Sequence, residues 1–232
     1  MKNNRIFRSF TKVALTASFL LALASVSNAA NLVYFVTLDV ASLVSNPNGL
    51  FALDLQLVPG SNNVTNSVTL SNFIVTGGTL TGSPDFTFGG ATGSSASSIT
   101  LTNSNSSDNE YAELFSSGVT RIQFQVTETS NSETVGSGTP IPEQFNVAIY
   151  DNTQSNIPTT DPSGGNTLVS SAIVAGQTLS SVQTFTSMSP DAGVSATVSL
   201  SAVPEPTSVG LLLVGACGLL ARRKRSAQPS VA

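Results

Sequence analysis

Apolar and polar side chains alternate through most of the chain between about residues 31 and 200. The clearest stretch is "FALDLQLV", whose apolar positions are Phe51, Leu53, Leu55 and Leu57. Because successive side chains of a strand point to opposite faces, this spacing predicts a strand with these four residues on the buried face. Asp54 and Gln56 then point to the opposite, polar face of this half-buried strand.

The same alternation recurs along the body of the chain, and "RIQFQVT" shows it most plainly. Its inward positions are Ile122, Phe124 and Val126, and its outward positions are Arg121, Gln123 and Gln125. Turn-forming clusters of Gly, Asn, Asp, Ser and Pro separate eight to ten such stretches. This pattern predicts an all-β fold over residues 30–200, an antiparallel β-sandwich of the jelly-roll kind.

Two segments of the body are less clear. "NEYAELF" fits a strand or one short helical turn. Residues 79–98 are dense in Gly, Ser and Thr, a composition typical of a flexible loop.

The N-terminus has the organisation of a signal peptide. Basic residues within the first twelve positions precede an apolar run over 13–24, and Ser27-Asn28-Ala29 supplies small residues for cleavage. We expect a signal peptidase to remove residues 1–29, which makes this an exported protein.

The charge of the body excludes one class of partner. Between residues 30 and 203, twelve carboxylates face a single basic residue, Arg121, so the net charge is −11. Nucleic-acid binding requires a basic patch, and we therefore exclude nucleic acid as a partner.

The absence of several residue types limits the chemistry. The chain has no His and no Trp, and its single Cys217 lies in an apolar run near the C-terminus as a small helix residue or a lipidated thiol. Histidine-based nucleophilic catalysis and zinc sites of the usual ligands are thereby excluded. A carboxylate pair such as Glu128 with Glu143 would suffice for glycoside hydrolysis, although carboxylates on polar strand faces are normally just solvated.

The acidic stretch "NSNSSDNEYAE" predicts one loop rich in oxygen ligands. Its candidate ligands are Asn103, Asn105, Asp108, Asn109, Glu110 and Glu113, of which Asp108 and Glu110 are the leading pair. Calcium is the ion that such ligands suit, but the spacing does not match an EF-hand loop. The alternative is a solvated turn.

Sugar binding needs an aromatic surface, for which Tyr34, Tyr111 and Tyr150 are candidates. Packing at sheet edges or in the core is the alternative role for each. Arg121 would either bind an acidic sugar or pair with a neighbouring carboxylate.

The C-terminal segment 201–232 combines three parts in order. Pro204-Glu205-Pro206 comes first, an apolar run over 208–221 follows, and the third part is the basic cluster Arg222, Arg223, Lys224 and Arg225. A helix over the apolar run would be about 21 Å long, shorter than the roughly 30 Å hydrocarbon core of a bilayer. The basic cluster indicates a stop signal on the cytoplasmic side, so we expect a transient membrane helix.

This arrangement closely resembles the PEP-CTERM sorting signal of Gram-negative bacteria, with "SAQPSVA" as an extension beyond the usual end. The resemblance implies that a membrane-embedded exosortase, a cysteine transpeptidase-like enzyme, recognises Pro204, Glu205 and Pro206. Retention in the inner membrane is the alternative. "FALDLQLVPGS" and "FNVAIYD" are also similar to all-β bodies found before such tails, which have no known catalytic residue.

Proteins with this tail often occur with exopolysaccharide gene clusters. The resemblance therefore implies a non-enzymatic protein of the cell surface or the biofilm matrix, associated with exopolysaccharide. The alternative is a secreted carbohydrate-active enzyme that uses a carboxylate pair.

We expect both ends of the chain to be processed. Mass spectrometry of the exported protein should find an N-terminus at Ala30, or within a residue or two of it, and a C-terminus upstream of the basic cluster. A protein that begins at Met1 would contradict export, and an intact terminus through Ala232 would contradict sorting.

Overall fold

A computed structural model describes residues 31–46, 49–61, 66–103, 108–129, 141–174 and 177–201. Within these ranges the chain forms twelve strands and two short 3-10 turns, at Ala41–Ser45 and Leu179–Ser181. The strands are β1 Leu32–Asp39, β2 Phe51–Val58, β3 Ser67–Thr76, β4 Phe86–Phe88, β5 Gly90–Gly93, β6 Ser98–Thr102, β7 Asn109–Phe115, β8 Arg121–Glu128, β9 Glu143–Tyr150, β10 Val169–Ile173, β11 Val182–Thr184 and β12 Ser195–Leu200.

The strands form two antiparallel sheets of six strands each. The first sheet has the order β12-β1-β8-β3-β6-β5, and the second has the order β11-β10-β9-β2-β7-β4. The all-β prediction is therefore confirmed, with two sheets arranged as in a β-sandwich. The predicted signal peptide, C-terminal helix and sorting motif lie outside the described residues.

One hydrophobic core fills the space between the inner faces of the two sheets. The first sheet contributes alternate residues of β1 and β8, among them Val36 and Phe124, and the second contributes alternate residues of β2 and β9, among them Leu55 and Val147. All four are fully buried. The inner positions predicted for "FALDLQLV" and "RIQFQVT" are thus confirmed.

A bulge in β3 changes which residues of that strand face the core. Its register with β8 shifts between Ser71 and Ile74, and Asn72 has a positive φ of 55°. Asn adopts this conformation more readily than most residues, since its short polar side chain can bond locally. As a result the ring of Phe73 turns inward and stacks on Phe124, with centroids 5.2 Å apart.

Of the two less clear segments, one is confirmed as a strand and the other needs correction. "NEYAELF" is strand β7, the first of its two interpretations, because Tyr111 and Phe115 alternate into the core. The segment 79–98, expected to be a loop, contains the edge strands β4 and β5. β4 bonds to β7, and β5 bonds to β6.

Gly77 brings two loops together where β3 ends and β8 begins. Its φ is 85°, and a Cβ at this position would lie 2.3 Å from the carbonyl oxygen of Gly118. Gly82 has a similar φ of 78°, but nothing lies within 4 Å of its hypothetical Cβ. The two glycines share the conformational requirement and differ in the space around them.

This difference gives a matched pair of substitutions. Both Gly77→Ala and Gly82→Ala should destabilise the protein because each places a side chain at positive φ. Gly77→Ala should cost on the order of 1–3 kcal/mol more, since its methyl group overlaps the backbone of Gly118. Urea unfolding of both variants measures the difference, and equal losses would show that the two loops do not approach as described.

Candidate functional site

On the outer face of the second sheet, the residues beside Asp54 on the neighbouring strands have small side chains. Asp54 on β2 lies in register with Ala112 on β7 and with Ala148 on β9. Alanine fills little space, so larger diagonal neighbours can reach across it. Glu110 on β7 and Tyr150 on β9 extend into this space from the two sides.

These residues form a hydrogen-bonded cluster. The hydroxyl of Tyr150 donates to Oε1 of Glu110. Nε2 of Gln56 donates to Oδ2 of Asp54 at 2.6 Å and lies 3.4 Å from the Tyr150 hydroxyl. Asp54 is fully buried beneath its neighbours, and within the described part of the chain its Oδ1 has no hydrogen-bond partner.

The surroundings of Asp54 favour its neutral form. Burial, followed by the negative charge of the neighbouring Glu110, raises the pKa of Asp54 to about 8. Burial and the carboxylates of Glu110 and Asp54 also raise the pKa of Tyr150. At neutral pH the neutral form of Asp54 therefore predominates.

A pocket of about 320 Å³ opens beside this cluster, a volume at the lower end of the range of small-molecule sites. Its lining residues are Asp85, Phe86, Glu110, Ala112, Tyr150 and Gln154. The backbone N–H of Asp85 donates to the carbonyl of Ala112 at 2.9 Å, which places the residues before β4 against β7. The walls thus combine aromatic rings, carboxylates and an amide.

The turn after β9 positions Gln154 at the rim of the pocket. Gln154 has a positive φ of 59°, and its N–H donates to the carbonyl of Asp151 at 3.0 Å. The carboxylate of Asp151 accepts hydrogen bonds from the N–H and the hydroxyl of Thr153, at 2.8 and 2.6 Å. The cost of its partial burial is outweighed by these bonds, so the pKa of Asp151 is lowered.

Two exposed phenylalanines on β4 lie next to the pocket and form an aromatic patch, which we call the Phe86/Phe88 surface. β4 pairs with β7 so that Phe86 lies opposite Ala112 and Phe88 opposite Glu110, on the outer face. The two rings are nearly parallel, with an interplanar angle of 6° and centroids 6.5 Å apart. Each side chain is 48% exposed, and together the two rings form a contiguous apolar patch.

Of the three tyrosines proposed as sugar platforms, only Tyr150 lies at this site. Tyr34 and Tyr111 are fully buried on the inner faces of β1 and β7. Each donates its hydroxyl to a buried carboxylate, Tyr34 to Glu128 at 2.5 Å and Tyr111 to Glu113 at 2.8 Å. Their role is core structure.

Glu128 and Glu143, considered as a hydrolytic pair, both lie inside the sandwich with no exposed surface. Glu128 also accepts hydrogen bonds from Ser171 at 2.9 Å and Gln177 at 2.7 Å, and Glu143 accepts one from Asn103. Burial raises the pKa of Glu128, although these donors oppose the shift. A polysaccharide cannot reach either side chain in this arrangement.

The residues of the acidic stretch separate into different environments. Asp108 is exposed before β7, whereas Asn109, Glu110 and Glu113 belong to the strand and not to the expected loop. Asn109 and Glu113 face the core, and Glu110 faces outward to Tyr150. No group of three His, Cys, Asp or Glu side chains able to hold a metal ion occurs in the described ranges. Calcium binding through Asp108 and Glu110 stays a prediction.

Arg121 is exposed at the start of β8, on the outer face of the first sheet. It lies in register with the exposed Asp39 of β1. The only basic side chain between residues 31 and 201 is therefore on the opposite sheet from the pocket.

The Phe86/Phe88 surface was not among the sequence candidates. Its signal is the short alternation Phe-Thr-Phe within a polar, glycine-rich segment, which is too brief to distinguish a strand from a loop. Asp54 was expected on a solvated face, but the diagonal neighbours that cover it come from other strands.

None of the protein-family models, curated proteins or solved structures compared with this chain matches it. Among the described residues, no helix is long and apolar enough to cross a membrane.

Because Asp54 is protonated in the folded protein, the stability of the fold should depend on pH. In the unfolded chain the Asp54 carboxyl titrates at about 3.9. Between that pH and about 8 the folded protein retains a proton that the unfolded chain has lost. Stability should therefore fall as pH rises through this window, by up to about 1.4 kcal/mol per pH unit from this group.

Asp54→Asn should remove this contribution, since an amide cannot ionise but can bond to Gln56 and Glu110. We expect the variant to be more stable than the parent at pH 8, with a gain that shrinks towards pH 4. Urea unfolding across this pH range in calcium-free buffer measures it. Asp108→Asn, which removes an exposed carboxylate, is the control for net charge. If Asp54→Asn is less stable than the parent at pH 8, the assignment of a protonated Asp54 is contradicted.

Proposed function

We propose that this protein is an exported, non-enzymatic glycan-binding protein of the cell surface or extracellular matrix. The observation that supports it most directly is the Phe86/Phe88 surface beside a polar pocket. The proposal assigns binding to the outer face of the second sheet.

The chemistry of this face matches that of a sugar. One side of a pyranose ring presents C–H groups, which pack favourably on the electron-rich face of an aromatic ring. Its hydroxyls need hydrogen-bond partners, and Asp85, Glu110 and Gln154 supply them in the pocket. Two parallel rings at successive outward positions of β4 suit an extended ligand, because adjacent sugar units can each contact one ring.

Export and sorting form the second part of the proposal. The signal peptide over residues 1–29 and the PEP-CTERM-like segment over 201–232 support it. In this proposal an exosortase recognises Pro204, Glu205 and Pro206 while the short helix crosses the inner membrane of a Gram-negative bacterium. The processed body then binds exopolysaccharide in the matrix.

We also propose that the body is a jelly roll. Such a fold is a long antiparallel hairpin of eight strands rolled upon itself, so that strand 1 pairs with 8, 2 with 7, and 3 with 6. The pairings β1 with β8, β2 with β7, and β3 with β6 support this topology. Strands β9 to β12 then extend the sheets on one side.

A hydrolytic enzyme is the second candidate, because the protonated Asp54 and the neighbouring Glu110 form a carboxyl pair near the pocket. A general acid must touch the glycosidic oxygen, however, and Asp54 is fully buried. Its burial favours binding over hydrolysis. Release of reducing ends from a bound polysaccharide would favour the enzyme instead.

The binding surface can be tested with aromatic substitutions. Phe86→Ala and Phe88→Ala should each weaken polysaccharide binding about fivefold, because each removes an aromatic contact worth on the order of 1 kcal/mol. Affinity electrophoresis against a polysaccharide panel measures the change. The control is Ile74→Ala, since Ile74 is 58% exposed on the outer face of the first sheet. Equal binding by all three variants would remove this surface from the proposal.

A further inference from the structure

The walls of the pocket carry negative charge without any balancing cation. Asp85 and Glu110 line it, and the carboxyl of Asp54 lies next to Glu110. Arg121, the only basic side chain between residues 31 and 201, is on the other sheet. A ligand carboxylate or phosphate at this position would meet repulsion and find no positive partner.

The aromatic walls favour a cation for a separate reason. Phe86 and Tyr150 border the same pocket, and the face of an aromatic ring attracts an ammonium group. Carboxylates and aromatic rings therefore line the same pocket. Both kinds of group stabilise a bound positive charge, and neither stabilises an anion.

The size of the pocket separates a bare ion from an organic cation. A volume of about 320 Å³ is far larger than a metal ion requires, and no group of three metal-ligating side chains occurs in the described ranges. It is large enough for one sugar unit. The adjoining Phe86/Phe88 surface can then hold the next unit of the chain.

We propose that the pocket binds a protonated amine carried by a sugar, so that the ligand is a glycan with free amino groups and not one with carboxylates. The ammonium group lies between Glu110 and Asp85, and the sugar ring packs against Phe86. This inference rests on the proposed glycan-binding function and narrows it to one chemical class of ligand.

The raised pKa of Asp54 is consistent with this assignment, because a neutral Asp54 leaves the carboxylate of Glu110 to pair with the ammonium group. Tyr150 donates its hydroxyl to Glu110 and holds that carboxylate at the pocket. Tyr150 is therefore a positioning residue for the charged group.

Three oligosaccharides of equal length test the proposal with the full-length protein. Oligomers of β-linked glucosamine should bind at least tenfold more tightly than oligomers of N-acetylglucosamine, which have the same backbone without the charge. Oligomers of a uronic acid should not bind. Isothermal titration calorimetry at mildly acidic pH, where the amines of the glucosamine oligomer are protonated, gives the three affinities.

Substitutions separate a site from general attraction by an acidic body. Glu110→Gln and Asp85→Asn should each reduce the preference for glucosamine at least fivefold, whereas Asp39→Asn and Asp108→Asn should leave it unchanged. An oligolysine of equal charge should bind more weakly than the glucosamine oligomer, and Phe86→Ala should not affect it. An oligolysine that binds equally well, with all four carboxylate variants behaving alike, would overturn the proposal in favour of non-specific attraction.

Two results separate recognition of the amine from glycan binding in general. If both glucosamine and N-acetylglucosamine oligomers bind equally and Phe86→Ala weakens both, the amine assignment is overturned while glycan binding stands. If no glycan of the panel binds the folded protein, both proposals fall.

Discussion

The buried carboxylates of this protein must be stabilised without cations, since only one basic side chain lies between residues 31 and 201. Neutral donors take the place of ion pairs. Glu128 receives hydrogen bonds from Tyr34, Ser171 and Gln177, which come from both sheets. An unpaired buried carboxylate would cost several kcal/mol, so this network has to form when the two sheets come together.

Glu113, at another place in the core, is also stabilised by neutral hydrogen-bond donors. It accepts hydrogen bonds from the hydroxyl of Tyr111 at 2.8 Å, from Ser95 at 2.7 Å, and from the N–H of Gly82 at 2.6 Å. Ser95 and Gly82 belong to the two turns that flank the strands β4 and β5. The carboxylate therefore helps to hold the edge strand that carries the Phe86/Phe88 surface.

At Asp54 the supply of neutral donors is smaller, and the outcome differs. Gln56 is the donor to one oxygen, and a negatively charged neighbour, Glu110, lies beside the other. The lower free energy is reached by retaining a proton. The same shortage of donors and cations thus produces hydrogen-bonded carboxylates at Glu128 and Glu113 and a protonated Asp54 next to the pocket.

The sequence predicts the fold well and the site poorly, for physical reasons. Alternation over eight residues in "FALDLQLV" identifies the inner face of β2, because burial between sheets depends on that strand's own period. Whether Asp54 is solvated depends instead on Tyr150 and Glu110, which approach from β9 and β7. β4 has three residues and pairs with a strand more than twenty positions later, so its local sequence carries little signal.

The features of the pocket are difficult to explain by stability alone. A surface with two exposed phenylalanines loses the free energy that their burial would provide, and a buried Asp54 beside Glu110 lowers stability as the pH rises towards 8. Costs of this kind concentrate at functional sites, where a ligand supplies the missing contacts. That both occur on one face of the second sheet, around one pocket, is the physical reason to place function there.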